Sequence, residues 1–316
     1  MDNNAVDPQS TPQTSVPSPP TPSRRFGAGR IALVVVGALL LIIAIALPTV
    51  VVPSLEKMPA EIDSTGHFVG EATVLNQQTF KPQGPLPAAV ERSYKTVSTE
   101  GNVEVLDRRV VTTIGGQPFG EPAVGVFAVD RTTGQHVAGH GSNKQRNGQA
   151  LGMPWHAQKI TYPFWDESAG RTLPASFVDE QTLQGLDVYK YSIKTDKPLK
   201  IGEQQVPGAA LGAPGMVTLD IIYSRDGTLL VDPLTGTPVS GSDHTTIALA
   251  MPGTTTPVAT VADITAHQTD AGVTETIDTV KSGHQLLSLV RVTIPVVAGI
   301  VGLLLIGLAL RRRRAA

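Results

Sequence analysis

Two uncharged apolar segments near the ends of the 316-residue chain constrain its fold more than any other feature of the sequence. The first spans residues 31–52, and the second contains the nineteen residues 292–310. At about 1.5 Å per residue, a helix of either length approaches the roughly 30 Å hydrocarbon core of a bilayer. We therefore predict two transmembrane helices, over residues 31–52 and 290–310.

Small residues in the second apolar segment indicate where another helix can pack. Ala298 and Gly302 are four positions apart and therefore lie on one face of a helix. Small residues at this spacing let two helix backbones approach closely in a membrane. This face could seat a second helix; the alternative, which we favour, is that small residues are simply common in membrane helices.

Arginines at the outer ends of both apolar segments indicate how the chain is oriented. Arg24, Arg25 and Arg30 precede the first segment, and four arginines at 311–314 follow the second. The flanks that face the middle of the chain are less basic and contain Glu56, Lys57, Lys281 and Arg291. Because loops rich in Lys and Arg stay in the cytoplasm, we expect both termini inside and residues 53–289 outside the plasma membrane.

The start of the chain is a low-complexity stretch rich in Pro, Ser, Thr, Gln and Asn. Such a composition buries too little apolar surface to fold, so we predict a disordered cytoplasmic tail over residues 1–30. Residues 311–316 form the corresponding basic cytoplasmic end. An alternative is that the first apolar segment is a signal peptide, since Ala44-Ile45-Ala46 resembles an A-x-A cleavage site. Cleavage there would leave a single span and the same outer domain.

The middle of the chain is acidic and contains no cysteine. Residues 53–289 hold 17 basic and 25 acidic residues, a net charge of −8. A domain of this charge is a poor partner for nucleic acid, whose phosphates require a basic surface. Without cysteine, disulfides, thiolate zinc sites and a cysteine nucleophile are excluded, so the hydrophobic core alone must hold the domain together.

Short segments rich in Val, Ile, Thr and aromatic residues recur through the middle domain and predict strands. Gly, Pro or Asp bounds most of them, which is typical of strands joined by turns. The predicted strands are Phe68–Leu75, Val103–Thr113, Ala123–Val129, Leu186–Ile193, Val217–Tyr223, Thr228–Val231, Thr245–Ala250 and Val258–Ile264. The sequence therefore predicts a mainly β (α+β) extracytoplasmic domain, with an antiparallel sheet or barrel-like core, flanked by two transmembrane α-helices.

Turn residues and helical periodicity predict the connections between these strands. The pair Asp226-Gly227 predicts a tight hairpin turn between residues 217–223 and 228–231, because Gly supplies the positive φ that such a turn needs. Further predicted turns are Asp130–Gly134 and Asp232–Gly236. Helices are predicted over 179–185 and 271–291, and surface loops over 81–87 and 207–215.

No sequence motif for catalysis or for cofactor binding emerges. We therefore predict no catalytic, cofactor-binding or metal-binding residues and no enzymatic activity. The densest histidine group is His136, His140 and His156. A zinc site there would need a further ligand that the sequence does not identify, so we favour exposed loop histidines.

Three aspartates and two tryptophans suggest two further alternatives, a calcium site and a surface on which a ligand stacks. Asp130, Asp226 and Asp232 would be candidate calcium ligands, but they lack the alternating carboxylates of a calcium loop. Local hydrogen bonds explain aspartate in turns more simply. Trp155 and Trp165 lie close in sequence and would suit a sugar- or lipid-stacking surface. We favour a role for them in the domain core.

Several short motifs, taken in order with the two apolar segments, resemble the actinobacterial porin-PorA-like family. They are Asp130-Arg131-Thr132 with Gly134, Tyr162–Asp166, Gln181–Tyr191, Tyr223–Gly227 and Val231–Gly236. The resemblance covers residues 30–310. Two spans around a β-rich outer domain are also similar to the topology of class B scavenger receptors, which implies an apolar tunnel for lipid.

From this resemblance and the double anchor we expect a non-enzymatic cell-envelope protein. Its outer domain is expected to bind or transfer a lipid or glycolipid in envelope assembly, such as lipomannan, lipoarabinomannan or a mycolate-type lipid. Two alternatives stay open: a structural or regulatory partner of membrane-bound envelope enzymes, and a pore. A pore is the less favoured, because porins close a barrel of strands in the membrane, whereas this chain carries two apolar helices.

Overall fold

The computed structural model describes residues 28–76 and 79–311, which form two units. The first unit comprises residues 28–45 together with 295–311, and the other described residues form the second. The predicted tail before residue 28 and the arginines at 312–314 lie outside the described residues.

Two apolar helices pair through small residues in the first unit. Helix α1 spans Ala28–Ala46, and helix α4 spans Ile294–Arg311. A Cβ atom added to Gly37 of α1 would lie 2.8 Å from the carbonyl oxygen of Gly302 on α4. Gly302 and Ala298 are both buried, so the small residues of this face do seat a second helix, which was the less favoured alternative.

Both apolar helices are long and apolar enough to cross a membrane. The first continues to Leu55, giving 28 residues, and the second is the last part of a 42-residue helix, Asp270–Arg311. Large side chains on their outer faces are exposed, for example Ile42 at 61% and Leu303 at 63%. Apolar side chains exposed around a helix pair are unfavourable in water and favourable in hydrocarbon.

A π-helical turn widens each long helix next to the boundary between the units. One turn, Leu47–Val51, contains Pro48, and the other, Leu289–Thr293, lies shortly before Pro295. Proline lacks the N–H that would continue the α-helical hydrogen bonds, which accounts for the local widening. A short helix α2, Val52–Leu55, follows the first of these turns.

Helix α3, Asp270–Ser288, precedes the second π-helical turn and confirms the helix predicted over 271–291. The Thr269 hydroxyl caps its start by accepting the N–H of Gly272 at 3.3 Å. The buried face of α3 packs against strand residues in one cluster, which contains Val273, Ile277, Val280, Leu186, Val188 and Val239. Burial of this apolar stripe holds α3 on the sheet.

Among the described residues of the second unit, thirteen strands form one antiparallel sheet, which confirms the predicted fold class. They are β1 Asp63–Asn76, β2 Lys81–Glu100, β3 Val103–Ile114, β4 Gln117–Pro118, β5 Ala123–Asp130, β6 His136–Val137, β7 Tyr162–Asp166, β8 Arg171–Leu183, β9 Leu186–Lys194, β10 Leu199–Pro207, β11 Met216–Val231, β12 Pro238–Ala250 and β13 Pro257–Gln268. Their order across the sheet is β6-β5-β3-β2-β1-β13-β12-β11-β9-β8-β7, with β4 beside β3 and β10 beside β11. The first strand is therefore the neighbour of the last.

The sheet curls until its two edges meet at Gln149. This residue pairs antiparallel with Gln135, next to β6, and parallel with Phe164 of β7. Its N–H donates to the carbonyl of Pro163 at 2.7 Å, and its carbonyl accepts the N–H of Trp165 at 3.0 Å. One end of the sheet is thus closed into a ring, which we call the closed end.

The predicted hairpin at Asp226-Gly227 is wrong, because β11 runs unbroken from Met216 to Val231. Gly227 pairs with Ile193 on one side and with Asp243 on the other. Backbone hydrogen bonds to two neighbouring strands outweigh the local turn preference of Asp-Gly. Gly227 is needed because there is no room for a side chain: a Cβ atom there would lie 2.4 Å from Oδ1 of Asp243.

Two other predicted connections are also wrong. The helix predicted over 179–185 is the end of β8 and its turn into β9, where Gln184 and Gly185 both have positive φ. The loop predicted over 81–87 is the beginning of β2, which pairs with β1. The predicted loop over 207–215 is confirmed, and it contains a short 3-10 helix.

The two predicted Asp–Gly turns are confirmed and share one hydrogen-bonding pattern. The N–H of Gly134 donates to the carbonyl of Asp130 at 2.8 Å, and that of Gly236 donates to Asp232 at 2.9 Å. Both glycines have positive φ. Residues 149–157 pack on these turns, with the N–H of residue 150 bonded to the first and those of 153, 156 and 157 bonded to the second.

Candidate functional site

Five side chains form a charged network across the concave face of the curled sheet. Asp166, the last residue of β7, accepts hydrogen bonds through Oδ2 from Tyr223 at 3.0 Å and from Arg225 at 2.9 Å, both on β11. Arg225 also donates through Nε to Asp243 of β12 at 2.7 Å. Arg92 of β2 donates to the second oxygen of Asp243 at 3.2 Å. The network thus connects four strands that are not all neighbours.

This network is buried, so its positive and negative charges must balance. The side chains of Asp166 and Arg225 are 2% and 11% exposed. Two arginines face two aspartates, so the group is neutral overall, as a buried charged network must be. Burial alone would lower the pKa of Arg225, but the carboxylates of Asp243 and Asp166 outweigh it and raise that pKa. Burial and the charge of Asp166 raise the pKa of Tyr223.

A second charged group lies beside the first, centred on Glu167. Arg146 binds both oxygens of this carboxylate, at 3.0 and 3.1 Å, and the indole N–H of Trp165 donates to it at 2.6 Å. Lys144 forms a further ion pair with it. Burial alone would raise the pKa of Glu167, but the bonds from Arg146, Lys144 and Trp165 lower it to about 2.

His136 packs between aromatic rings next to this second group. Its ring centroid lies 5.0 Å from that of Phe127 and 6.2 Å from that of Trp165, edge to face in both cases. The Nδ1 atom is buried without a hydrogen-bond partner among the described residues. Burial, assisted by the charge of Arg146, lowers the pKa of His136 to about 4. The imidazole is therefore neutral at physiological pH.

The structure separates the three histidines that the sequence placed together. His140 pairs with Glu100 at 2.8 Å, and His156 pairs with Glu56 at 3.2 Å, whereas His136 is held by aromatic rings. Within residues 28–76 and 79–311, no three His, Asp or Glu side chains are arranged to hold a metal ion. The zinc alternative therefore has no geometric support.

The three candidate calcium aspartates each have their own separate partners. Asp130 accepts the N–H groups of residues 132 and 133 in its turn, and Asp226 pairs with Lys194. Asp232 accepts the N–H and hydroxyl of Thr235 and contacts His284. Local hydrogen bonding thus accounts for Asp130 and Asp232, whereas Asp226 lies within β11 and is accounted for by its ion pair with the neighbouring strand.

The two tryptophans occupy different environments. Trp165 is half-buried and belongs to the Glu167 group, in agreement with a role in the domain core. Trp155 is half-buried beside His156, with ring centroids 6.4 Å apart. The two rings therefore do not act as one stacking surface.

Sequence reasoning missed the charged network itself. Its members are far apart in the chain, and Arg92 and Asp243 are separated by 151 positions. A usable signal was present in β11, where Tyr223 and Arg225 occupy alternate positions and must share one face of the strand. An arginine on the same face as buried residues of a strand requires a buried anion.

Comparison with known proteins shows which protein family the chain is related to over most of its length. The family model described as Porin PorA matches residues 30–311, which include both apolar helices and the complete sheet. The protein is similar to Porin PorA of Corynebacterium amycolatum, with 24% identity across 67% of this chain and 75% of that protein.

These matches correct the expected function. The expectation that the outer domain binds or transfers a lipid or glycolipid is wrong, because both the family and the relative are named as porins. The topological similarity to scavenger receptors misled the inference, since it concerned architecture rather than chemistry. With its two apolar helices and a family match over most of its length, the chain is a membrane protein that belongs to the Porin PorA family.

Proposed function

We propose that this protein is a non-enzymatic, pore-forming protein that lets hydrophilic solutes cross a membrane of the cell envelope. The observation that carries the proposal is the family match, because it covers the apolar helices and the sheet together.

The apolar helices, rather than the strands, are proposed to cross the membrane. A barrel wall in lipid needs an apolar outer surface, whereas strands of this sheet expose charged side chains such as Glu91, Lys95, Lys194 and Asp226. We propose spans over 31–52 and 290–310. The arginine-rich flanks support both termini in the cytoplasm, the domain 53–289 outside, and the plasma membrane as the location.

One copy of the chain is too small to enclose a passage between its two helices. Gly37 and Gly302 bring the backbones into direct contact, which leaves no space for a water-filled passage where α1 and α4 meet. We therefore propose that several copies assemble, with the exposed outer faces of their helices in contact with each other and with lipid. Such an assembly makes conductance depend on the close pairing of α1 and α4.

Planar-bilayer recordings of the purified full-length chain test this proposal. We expect discrete conductance steps from the wild type and their loss in Gly302→Leu, whose side chain would collide with the carbonyl of Gly37. The matched control is Gly307→Leu on the same helix, because a Cβ atom at Gly307 has no neighbour within 4 Å. We expect this control to retain steps.

Folded wild-type protein that gives no steps above a detergent control would contradict the proposal. If an envelope-synthesis enzyme then co-purified in stoichiometric amounts, the predicted partnership with such enzymes would be favoured instead. Equal loss of steps in both glycine variants would contradict the role given to the α1–α4 contact.

A further inference from the structure

Methionine carries all of the sulfur in this protein, and two of the methionine side chains are open to water. The chain contains five methionines and no cysteine. Within the part of the chain that the structure describes, Met216 is 60% exposed and Met251 is 46% exposed, whereas Met153 is only 4% exposed. Met58 is half-buried against a core cluster. A reagent dissolved in water therefore has direct access to the thioethers of Met216 and Met251.

The two exposed methionines lie at the same end of the sheet. Strand β11 begins at Met216, and its first pairing with β12 joins Asp220 to Ala250. The first four residues of β11 therefore extend beyond β12 and pair with β10 alone. Met251 directly follows Ala250, at the start of the loop that leads to β13. Both methionines are thus within four positions of the pair Asp220–Ala250.

Hydrogen bonds fix the loop that carries Met251. Asp220 accepts the N–H of Gly253 at 2.9 Å through Oδ2, and its Oδ1 lies 2.7 Å from Nζ of Lys200. The N–H and the hydroxyl of Thr254 both donate to the carbonyl of Met251 at 2.9 Å. The backbone is therefore held in place while the thioether lies in water, so this exposure belongs to the folded state.

Met153 has the opposite environment. Its side chain belongs to a core cluster that also contains Phe164, Leu173 and Tyr191. Its backbone N–H donates to the carbonyl of Gly236 at 2.9 Å, which holds it on the Asp–Gly turn. The sulfur of Met153 reaches water only when this part of the domain opens. Met153 is therefore an internal reference with the same chemistry and no access.

We propose that Met216 and Met251 are reversible oxidation sites, modified by hydrogen peroxide while Met153 is spared. In the reaction the thioether sulfur attacks one oxygen of the peroxide, so an S–O bond forms and the O–O bond breaks. The sulfur is oxidised to a sulfoxide and the peroxide is reduced to water. The proton on the attacked oxygen moves to the oxygen that leaves. Methionine sulfoxide reductases reverse the change.

Oxidation at these two positions changes the surface and leaves the core intact. A sulfoxide is polar, whereas a thioether is apolar. Because both side chains already lie in water, the added oxygen displaces no buried contact. The modification therefore makes more polar an end of the sheet that otherwise exposes apolar side chains, among them Val258 at 42%.

Peroxide treatment of the folded, detergent-solubilised full chain, followed by peptide mass spectrometry over time, tests the proposal. We expect sulfoxide to form at Met216 and Met251 roughly tenfold or more faster than at Met153, because a buried site reacts only from locally opened molecules. The matched control is the same time course in guanidinium chloride, where we expect three similar rates. Oxidation of either exposed methionine as slowly as Met153 in the folded protein overturns the proposal.

Reversal and stability are measured on the same oxidised sample. We expect methionine sulfoxide reductases A and B, together with a thiol reductant, to restore both thioethers in the folded protein, since each enzyme reduces one sulfoxide epimer. Sulfoxide that persists at either site overturns reversibility.

The thermal unfolding midpoint of the oxidised sample provides the second measurement. We expect it to equal that of untreated protein while Met153 is unmodified. A lowered midpoint in such a sample overturns the claim that the core is unaffected. None of these measurements uses conductance, so failure of the methionine sites and failure of the proposed pore give different results.

Discussion

Arg225 donates a hydrogen bond to Asp166 across the concave face of the sheet, joining β11 to a residue 59 positions earlier at the end of β7. The same guanidinium binds Asp243 of the neighbouring strand β12. One buried cation is thus shared by two carboxylates from different strands. This sharing leads to a direct test of stability.

Removal of the Arg225 charge should destabilise the protein strongly. In Arg225→Met, Asp166 stays buried without its cation, and we expect a loss of about 3–5 kcal/mol in the free energy of unfolding. The matched control is Lys194→Met, whose partner Asp226 is 56% exposed, and a change below about 1 kcal/mol is expected there. Equilibrium unfolding followed by tryptophan fluorescence measures both. Similar losses in the two variants would contradict the role of burial.

Replacing two glycines with alanine should change the stability of the protein in opposite directions. Gly227→Ala places a methyl group against Asp243, so we expect destabilisation of about 1–3 kcal/mol. Gly283→Ala in α3 has open space, and the better helix propensity of alanine should stabilise by about 0.5–1 kcal/mol. Thermal unfolding midpoints of both variants check the expectation. A stabilising Gly227→Ala would show that β11 can shift at this position.

Acid should weaken the fold through His136. Its pKa is lowered from 6.5 to about 4 in the folded protein, so the unfolded chain takes up a proton first as the pH falls. Stability is therefore present above about pH 6.5 and lost progressively down to about pH 4. His136→Gln should show a smaller drop in unfolding midpoint between pH 7 and 4.5.

Comparison with a surface histidine separates this effect from general acid sensitivity. His67 has a side chain that is 60% exposed, and His67→Gln is expected to keep the full wild-type drop. If His67→Gln and His136→Gln reduced the drop equally, burial of His136 would not be its cause.

Glu167 should make a separate contribution at lower pH. Its pKa is lowered from 4.5 to about 2, so its contribution to stability is present above about pH 4.5 and lost as the pH falls toward 2. Glu167→Gln should therefore lose less stability than the wild type between pH 5 and 3, although it is less stable at pH 7. Fluorescence of Trp165, which donates to this carboxylate, reports the change directly. An unchanged acid profile in the variant would contradict the assignment.

Local patterns predicted the apolar helices, α3 and six of the strands because each rests on residues close in sequence. Periodic apolar residues such as Val273, Ile277 and Val280 face one side of a helix wherever it packs. The Asp–Gly turns at 130–134 and 232–236 were equally local, since each aspartate caps its own backbone.

Features decided by distant residues were not predictable in the same way. Asp226-Gly227 has the composition of a turn, but two neighbouring strands hold it extended. The start of β2 at residues 81–87 contains three prolines and reads as a loop, although it pairs with β1. The charged network required knowledge of which strands face each other across the sheet. No local pattern carries that information.

The pairing of β1 with β13 has a consequence for how the chain is made. Synthesis delivers β1 early, yet the strand that covers one of its edges ends at Gln268, about two hundred residues later. Until then the growing domain presents an uncovered row of backbone donors and acceptors, which invites association with other chains. Biogenesis of this protein therefore requires that the unfinished first half of the sheet be kept apart from its copies until the last strand arrives.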